Sequence, residues 1–271
     1  MSARPLVLLS DYGASDFYAG VTRAVLASSS PASRVIDLQH DLPPHDVAAA
    51  SFVLARAFEY LPADAVIIVV VDPGVGTERR GLVLCAGERV LVGPDNGFAS
   101  DLLCARGAAG ARFFAIDEAA AAKSIGAAAR GATFHGRDVF APVAAAIARG
   151  SEPSSFSHPV AGITLLPEVP SVSIDTGRVR GTGRYVDRFG NLLSDIPLAA
   201  IRHALGSEEQ ARVRVGGRDV GRLRPTYAGG RRGEVFALVN SWGLVEAAVN
   251  GGRAIDYFEG APPRSIPFEV A

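Results

Sequence analysis

Cysteine, lysine and net charge are scarce in this chain. Two cysteines, Cys85 and Cys104, stand among 271 residues. They are too few for a disulfide framework, so a reduced, cytoplasmic protein with two small core-like thiols is expected. Lys123 is the one lysine, and the formal net charge is −1. Near-balanced charge offers no global attraction to nucleic acid or to an anionic membrane, and a small molecule is the expected partner. The arginine bias, with abundant alanine, resembles the imprint of a GC-rich genome more than a functional patch. The longest unbroken apolar run, residues 65–71, falls far short of the roughly 20 residues that cross a bilayer. Residues 6–9 are too short for a signal peptide's apolar core and no cleavage site follows, so no leader is expected. There is no internal repeat and no low-complexity tail.

What is present is apolar mass in a regular alternation. Hydrophobic residues make up 48% of the chain, enough for a sizeable core in one large domain or up to two smaller ones. Residues 5–9 read as a strand, followed by a helix to about 28 that Ser15 or Asp16 can cap. A short strand at 35–38 precedes a helix that Asp46 opens and that runs to about Tyr60. Residues 65–71, Ala-Val-Ile-Ile-Val-Val-Val, have the β-branched content and length of a strand buried on both faces. Strands near 81–85 and 89–93, a turn at Asn96-Gly97 leading to a helix, and a last helix over 137–149 complete this half. Such alternation predicts an α/β domain over residues 1–155 with a mostly parallel, Rossmann-like sheet. Residues 150–159, rich in Ser, Pro and Glu, read as a linker. Beyond them come short β-like runs at 171–174, 178–187, 211–215, 219–223, 234–239 and 244–249, and one helix at 197–205. They predict a smaller all-β, barrel-like domain over 165–271.

Ligands of open α/β sheets sit beyond the carboxyl ends of the strands, which is where Asp11 and Asp72 fall. Asp11 follows the first strand, either as a helix cap or as an acceptor for a ribose diol. Asp72 opens Asp-Pro-Gly-Val-Gly-Thr-Glu-Arg-Arg, residues 72–80. Its Gly-x-Gly lacks the third glycine of a dinucleotide fingerprint, since Arg79 stands there, and it lacks the Lys-Ser/Thr of a phosphate loop. It reads as a tight turn with surface arginines, or as an Asp–Arg pair at the mouth of the sheet. His135 lies before the last helix, where Gly136 permits close approach of a ligand. His40-Asp41 and His45-Asp46 suggest a metal cluster, but their spacing matches no zinc signature and Asp46 is better read as a cap. Phe189 and Trp242, the sole tryptophan, read as core or as a stacking surface, with core the usual outcome.

Taken in order, seven segments resemble one family, the S-adenosylmethionine hydroxide adenosyltransferases, relatives of the fluorinase and chlorinase enzymes. They are Ser-Asp-Tyr-Gly (10–13), Asp-Leu-Gln-His-Asp-Leu-Pro-Pro-His-Asp-Val (37–47), Val-Asp-Pro-Gly-Val-Gly-Thr (71–77), Gly-Pro-Asp-Asn-Gly (93–97), Thr-Phe-His-Gly-Arg-Asp (133–138), Asp-Arg-Phe-Gly-Asn (187–191) and Asn-Ser-Trp-Gly (240–243). The resemblance implies an α/β N-terminal domain with ribose-binding and catalytic residues. It also implies a barrel-like C-terminal domain with adenine and methionine contacts, and a homotrimer whose sites lie between subunits. It implies that Asp11 holds the ribose hydroxyls, that Asp187 and Ser241 hold the methionine amino and carboxylate groups, and that Asn191 reads the adenine. Phe134, Phe189, Tyr227 and Trp242 are carried over as further substrate contacts. Halide-using relatives carry Tyr at the place of Asp72 and lack the histidine at the place of His135. The fluorinase has Ser at the place of Gly136. Asp72, Arg79 and His135 therefore resemble the water-using branch, with Arg80 the alternative to Arg79.

The implied reaction is hydrolysis of S-adenosyl-L-methionine to adenosine and L-methionine. The leaving group departs from a sulfonium as neutral methionine, so the chemistry requires no metal and no cofactor. Its demand is in-line delivery of water to the ribose C5′ and an acceptor for the water's proton, either Asp72 or His135. Two other readings are a halide-dependent adenosyltransferase and a protein that binds the nucleoside without turnover. A third is a metal-dependent hydrolase built on His40 and His45.

Overall fold

The computed structural model describes residues 3–125, 131–167, 172–259 and 261–271. It divides into two compact units, Met1–Pro167 and Glu168–Ala271. The first unit carries a sheet of seven strands: β1 (Leu6–Ser10), β2 (Val35–Gln39), β3 (Val66–Val70), β4 (Gly81–Ala86), β5 (Arg89–Pro94), β6 (Arg112–Ile116) and β7 (Ser157–Val160), in the order β2-β1-β3-β5-β4-β6-β7. The pairs β1/β2, β1/β3 and β3/β5 are parallel, and antiparallel β4, β6 and β7 extend that core. Every residue of β3 is buried, as its unbroken Val/Ile run requires of a strand with parallel neighbours on both sides.

The described residues of this unit include five α-helices: α1 (Phe17–Ser29), α2 (Val47–Ala57), α3 (Ser100–Arg106), α4 (Glu118–Ile125) and α5 (Ala141–Ala148). Asp16 caps α1 through the Phe17 N–H, and Asp46 caps α2 through the Ala49 N–H. The alanine-rich α5 is buried at every residue but Pro142, and small side chains let it lie close to β3 and α1. It does not start at 137 as an α-helix. A π-helical turn, Gly136–Phe140, comes first and places His135 just ahead of it.

The segment read from composition as a linker is partly structural. Pro153–Ser155 form a 3-10 turn, and Ser157–Val160 add β7 to the sheet edge by pairing with β6. The first compact unit runs to Pro167. Cys85 is buried and Cys104 exposed, both as free thiols.

In the second unit the described strands pair antiparallel: β8 (Ser173–Asp175), β9 (Arg178–Val186), β10 (Leu192–Pro197), β11 (Arg212–Val215), β12 (Arg218–Arg222), β13 (Val235–Val239), β14 (Leu244–Val249) and β15 (Pro267–Val270); among the described residues there is also one α-helix, α6 (Leu198–Leu205). The order is β12-β11-β15-β9-β10-β14-β13, with β8 on β9. Just past β12 the Arg224 N–H donates to the Ala237 carbonyl of β13 at 2.8 Å, which nearly closes the sheet into a barrel. Val179, Leu192, Val213, Val245 and Phe268 fill its interior. No described helix in either unit is long and apolar enough to cross a membrane.

Candidate active site

Strand register brings the first two acidic residues together. Ser10 of β1 lies opposite Val70 of β3, so the chain leaves both strands side by side and delivers Asp11 and Asp72 to one edge. The Asp11 carboxylate accepts the His45 N–H at 2.8 Å. His45 holds φ +66°, a left-handed backbone that a non-glycine residue adopts only when its surroundings fix it.

The residues suspected of binding metal brace this loop. His40 Nδ1 lies 2.8 Å from the Ser10 hydroxyl, and its Nε2 lies 3.2 Å from Asp37. Asp41 accepts the Ala14 N–H at 2.9 Å. Asp46 caps α2. His40 and Asp41 thus hold the Ser10–Ala14 turn, while Asp46 serves α2. Among the described residues no group of three or more His, Cys, Asp or Glu stands where it could hold a metal ion.

After β3 the chain doubles back. The Val75 and Thr77 N–H groups donate to the Asp72 and Gly74 carbonyls, which returns Arg79 to Asp72. Gly76 is required there, because its φ is +79° and a Cβ would lie 2.9 Å from the Ala132 carbonyl oxygen. That contact seats the 72–80 turn against the segment leading to His135. Arg79 grips Asp72 with a two-pronged fork, Nε to Oδ1 at 2.9 Å and Nη2 to Oδ2. The two side chains are 6% and 11% exposed, so the pair is shielded from water. The same Nη2 lies 2.8 Å from His135 Nδ1. A guanidinium only donates, so Nδ1 must be the acceptor and the ring proton sits on Nε2. Glu118 lies 3.8 Å from the same Nδ1, beyond hydrogen-bond reach, and Arg79 holds the atom. Fully buried Phe140 closes the back, with the Arg79 guanidinium 5.2 Å from its ring centre. Arg80 turns away and pairs with Asp95, so Arg79 is the arginine of this cluster.

These groups border a cavity of about 310 Å³ in the first unit. Asp11, Asp72, Phe134 and His135 line it, and Arg79 stands behind Asp72 and His135. Sequence reasoning assigned no part in this cavity to Tyr12 or Tyr18 and weighed His45 only as a metal ligand, yet all three line it. Phe134 meets Tyr12 edge-on at 5.6 Å and Tyr18 at 5.2 Å, giving an aromatic wall. Burial, then the Asp11 and Asp72 charges, push the Tyr12 hydroxyl far above its ordinary range, so it stays a neutral phenol. A Cβ on Gly136 would sit 2.0 Å from that hydroxyl. Tyr12 and His45 fall inside segments already singled out; their side chains carried no signal of which way they would point.

In the second unit Asp187 organises a loop between β9 and β10. Its Oδ1 accepts the Phe189 and Asn191 N–H groups at 2.9 Å each, and its Oδ2 accepts Asn191 Nδ2 at 3.0 Å. Three of a carboxylate's roughly four acceptor positions are thus used within the loop. Asn191 is buried. Phe189, Tyr227 and Trp242 are 74%, 50% and 43% exposed. Phe189 and Trp242 are therefore surface aromatics, against the usual expectation that such residues are core. Their loops leave them outside the barrel interior. Ser241 is exposed in the turn after β13.

Residues 6–157 match the SAM hydroxide adenosyltransferase N-terminal domain, and residues 181–265 match the C-terminal domain of the same family. The (R)-S-adenosyl-L-methionine hydrolase of Salinispora tropica is 43% identical over 251 residues, 91% of this chain and 90% of that protein. The enzyme of that name from Thermus thermophilus is 39% identical over 269 residues, 97% of this chain and 100% of that protein. Among solved structures, an uncharacterized conserved protein from Thermotoga maritima matches with a TM-score of 0.86 at 29% identity, covering 98% of this chain and 99% of that one. A conserved hypothetical protein from Thermus thermophilus matches with a TM-score of 0.74 at 34% identity, covering 99% and 100%.

Proposed function

The chain belongs to the SAM hydroxide adenosyltransferase family, and from that membership we propose that it hydrolyses S-adenosyl-L-methionine to adenosine and L-methionine with a water held by Asp72 and His135 and braced by Arg79. The observation that carries this reading is the shared Arg79 guanidinium, which holds Asp72 in a fork and occupies His135 Nδ1.

The roles follow from the hydrogen-bond inventory. Because Nδ1 is occupied, His135 offers only an Nε2–H and acts as donor to the water oxygen. Asp72 keeps lone pairs beyond those in the fork and accepts the water's proton. The water oxygen attacks C5′, the C5′–S bond breaks, and its electron pair goes to sulfur, releasing methionine as a neutral thioether. The proton lost by the water passes to Asp72 and on to solvent. Arg79 is a positioning residue, since it reaches the water only through the other two. In-line placement supplies much of the rate, and proton acceptance late in the transition state the rest. A carboxylate facing the nucleophile's place also disfavours halide ions.

Asp11, with its second oxygen fixed by His45, is placed to accept the ribose hydroxyls. Phe134 packs on the nucleoside from the aromatic wall. In this reading Asp187, Phe189, Asn191, Tyr227, Ser241 and Trp242 hold the adenine and methionine ends. The protein works as a homotrimer with sites between subunits, needs no cofactor and acts in the cytoplasm. Sedimentation at three times the chain mass checks the assembly.

The deciding experiment is incubation with S-adenosyl-L-methionine and excess chloride, followed by chromatography. Adenosine is the expected product. A main product of 5′-chloro-5′-deoxyadenosine would replace hydrolysis with halide transfer, and tight binding without turnover would leave a nucleoside-binding protein. Asp72→Ala and His135→Ala are each expected to abolish turnover while still binding adenosine.

A further inference from the structure

The Glu246 carboxylate has no part in the reaction described above, yet it is among the most deeply buried charged groups of the second unit. It sits on β14 at 2% exposure. Oε1 accepts the Tyr227 hydroxyl at 2.7 Å and Oε2 accepts Asn240 Nδ2 at 3.0 Å. Both donors are neutral. Burial first, with Asp187 adding a like charge, pushes the Glu246 carboxyl above the ordinary carboxylate range. A buried carboxylate in such company costs stability. What it provides is a fork with an acceptor on each prong.

Each prong controls a different substrate-facing element. Tyr227 opens a 3-10 turn with its ring half exposed, and the hydroxyl anchors it to β14. Asn240 has its amide committed in both directions: Nδ2 donates to Glu246, while Oδ1 accepts the Trp242 N–H at 2.9 Å and the Leu244 N–H at 3.1 Å. The turn carrying Ser241 and Trp242 is built on that orientation. Were the amide reversed, two backbone N–H groups would lose their acceptor.

We infer that Glu246 is a positioning residue that locks Tyr227 and the Asn240–Gly243 turn into one unit, so that two contacts to S-adenosyl-L-methionine are held at a fixed spacing. The roles of Tyr227 and Ser241 as substrate contacts rest on the function proposed above. The side chain acts on binding through its neighbours and touches no reacting atom.

The test uses Tyr227→Phe, Glu246→Gln, their double variant and Tyr227→Ala, each assayed for adenosine release, with thermal melts alongside. Tyr227→Phe keeps the ring and removes only the bond to Glu246. It is expected to raise KM about tenfold with a much smaller change in kcat, and to lower the melting temperature modestly because Glu246 Oε1 loses its donor. Glu246→Gln is expected to raise KM likewise, and the double variant to be no worse than either single one. If Tyr227→Ala raises KM while Tyr227→Phe and Glu246→Gln keep the wild-type KM, Glu246 positions nothing and the inference is overturned, with the hydrolase reading intact. If wild type releases no adenosine, the hydrolase reading fails and this role of Glu246 falls with it. Should Glu246→Gln not fold, the comparison of Tyr227→Phe with Tyr227→Ala decides alone.

Discussion

Arg79 determines what its two partners can do. Removing it strands the Asp72 carboxylate, 6% exposed, without its cation and releases His135 Nδ1. Arg79→Ala is expected to lower kcat at least about a hundredfold. It should also cost about 3 kcal/mol of stability in denaturant titrations, since breaking one side of a shielded ion pair is the expensive direction. Arg79→Lys should recover little activity, because an ammonium cannot span both oxygens and the ring nitrogen. Glu246 makes the opposite point. Its carboxyl is raised by burial, so the ionised form weighs against the folded state. That cost is absent below the unfolded carboxylate range and fully present above the raised folded value, so stability falls as pH rises through that window. Glu246→Gln should flatten this part of the profile: as pH rises above the ordinary carboxylate range, thermal melts should fall less than in wild type. A variant that melts higher at neutral pH but binds substrate worse would show why the carboxylate is there.

Among elements, the π-helical turn and the loop after β1 are coupled by a close approach. The Tyr12 hydroxyl lies where a Cβ on Gly136 would go, 2.0 Å away, and the next nearest atoms would be at 3.2 Å. Gly136→Ala must displace the Tyr12 ring, which Phe134 and Tyr18 box in. It is expected to destabilise by about 1–3 kcal/mol and to distort the cavity. Adding Tyr12→Phe removes the colliding oxygen and should restore most of both losses, readable as a strongly non-additive cycle in melts and turnover. The elements themselves were legible. β3 announces itself by an unbroken β-branched run, and α1 and α2 by the Asp16 and Asp46 caps. Four strands were missed, β6, β7, β10 and β15. The linker-like composition of 150–159 hid β7 because an edge strand can be polar and carry Pro159.

At the scale of the whole molecule, each unit closes its own core, one around β1, β3 and α5 and the other inside the barrel. A fragment of residues 1–167 is therefore expected to fold alone, with a cooperative melt by circular dichroism. It should release no adenosine from S-adenosyl-L-methionine, because Asp187, Asn191, Tyr227 and Ser241 are gone. A fragment with full turnover would show that the second unit contributes nothing to the reaction.

The sequence by itself determined the family, the layer class and the placement of Asp11 and Asp72 at strand ends, because periodicity and short motifs are local properties of the chain. Only the tertiary structure decided that Arg79 and not Arg80 serves Asp72, that His135 offers Nε2–H, and that His40 and Asp41 brace a loop. It alone placed Tyr12 against Gly136 and Glu246 beneath two loops. Each of these depends on which atoms meet across residues distant in the chain, and hydrogen-bond direction and steric exclusion are fixed by that meeting alone.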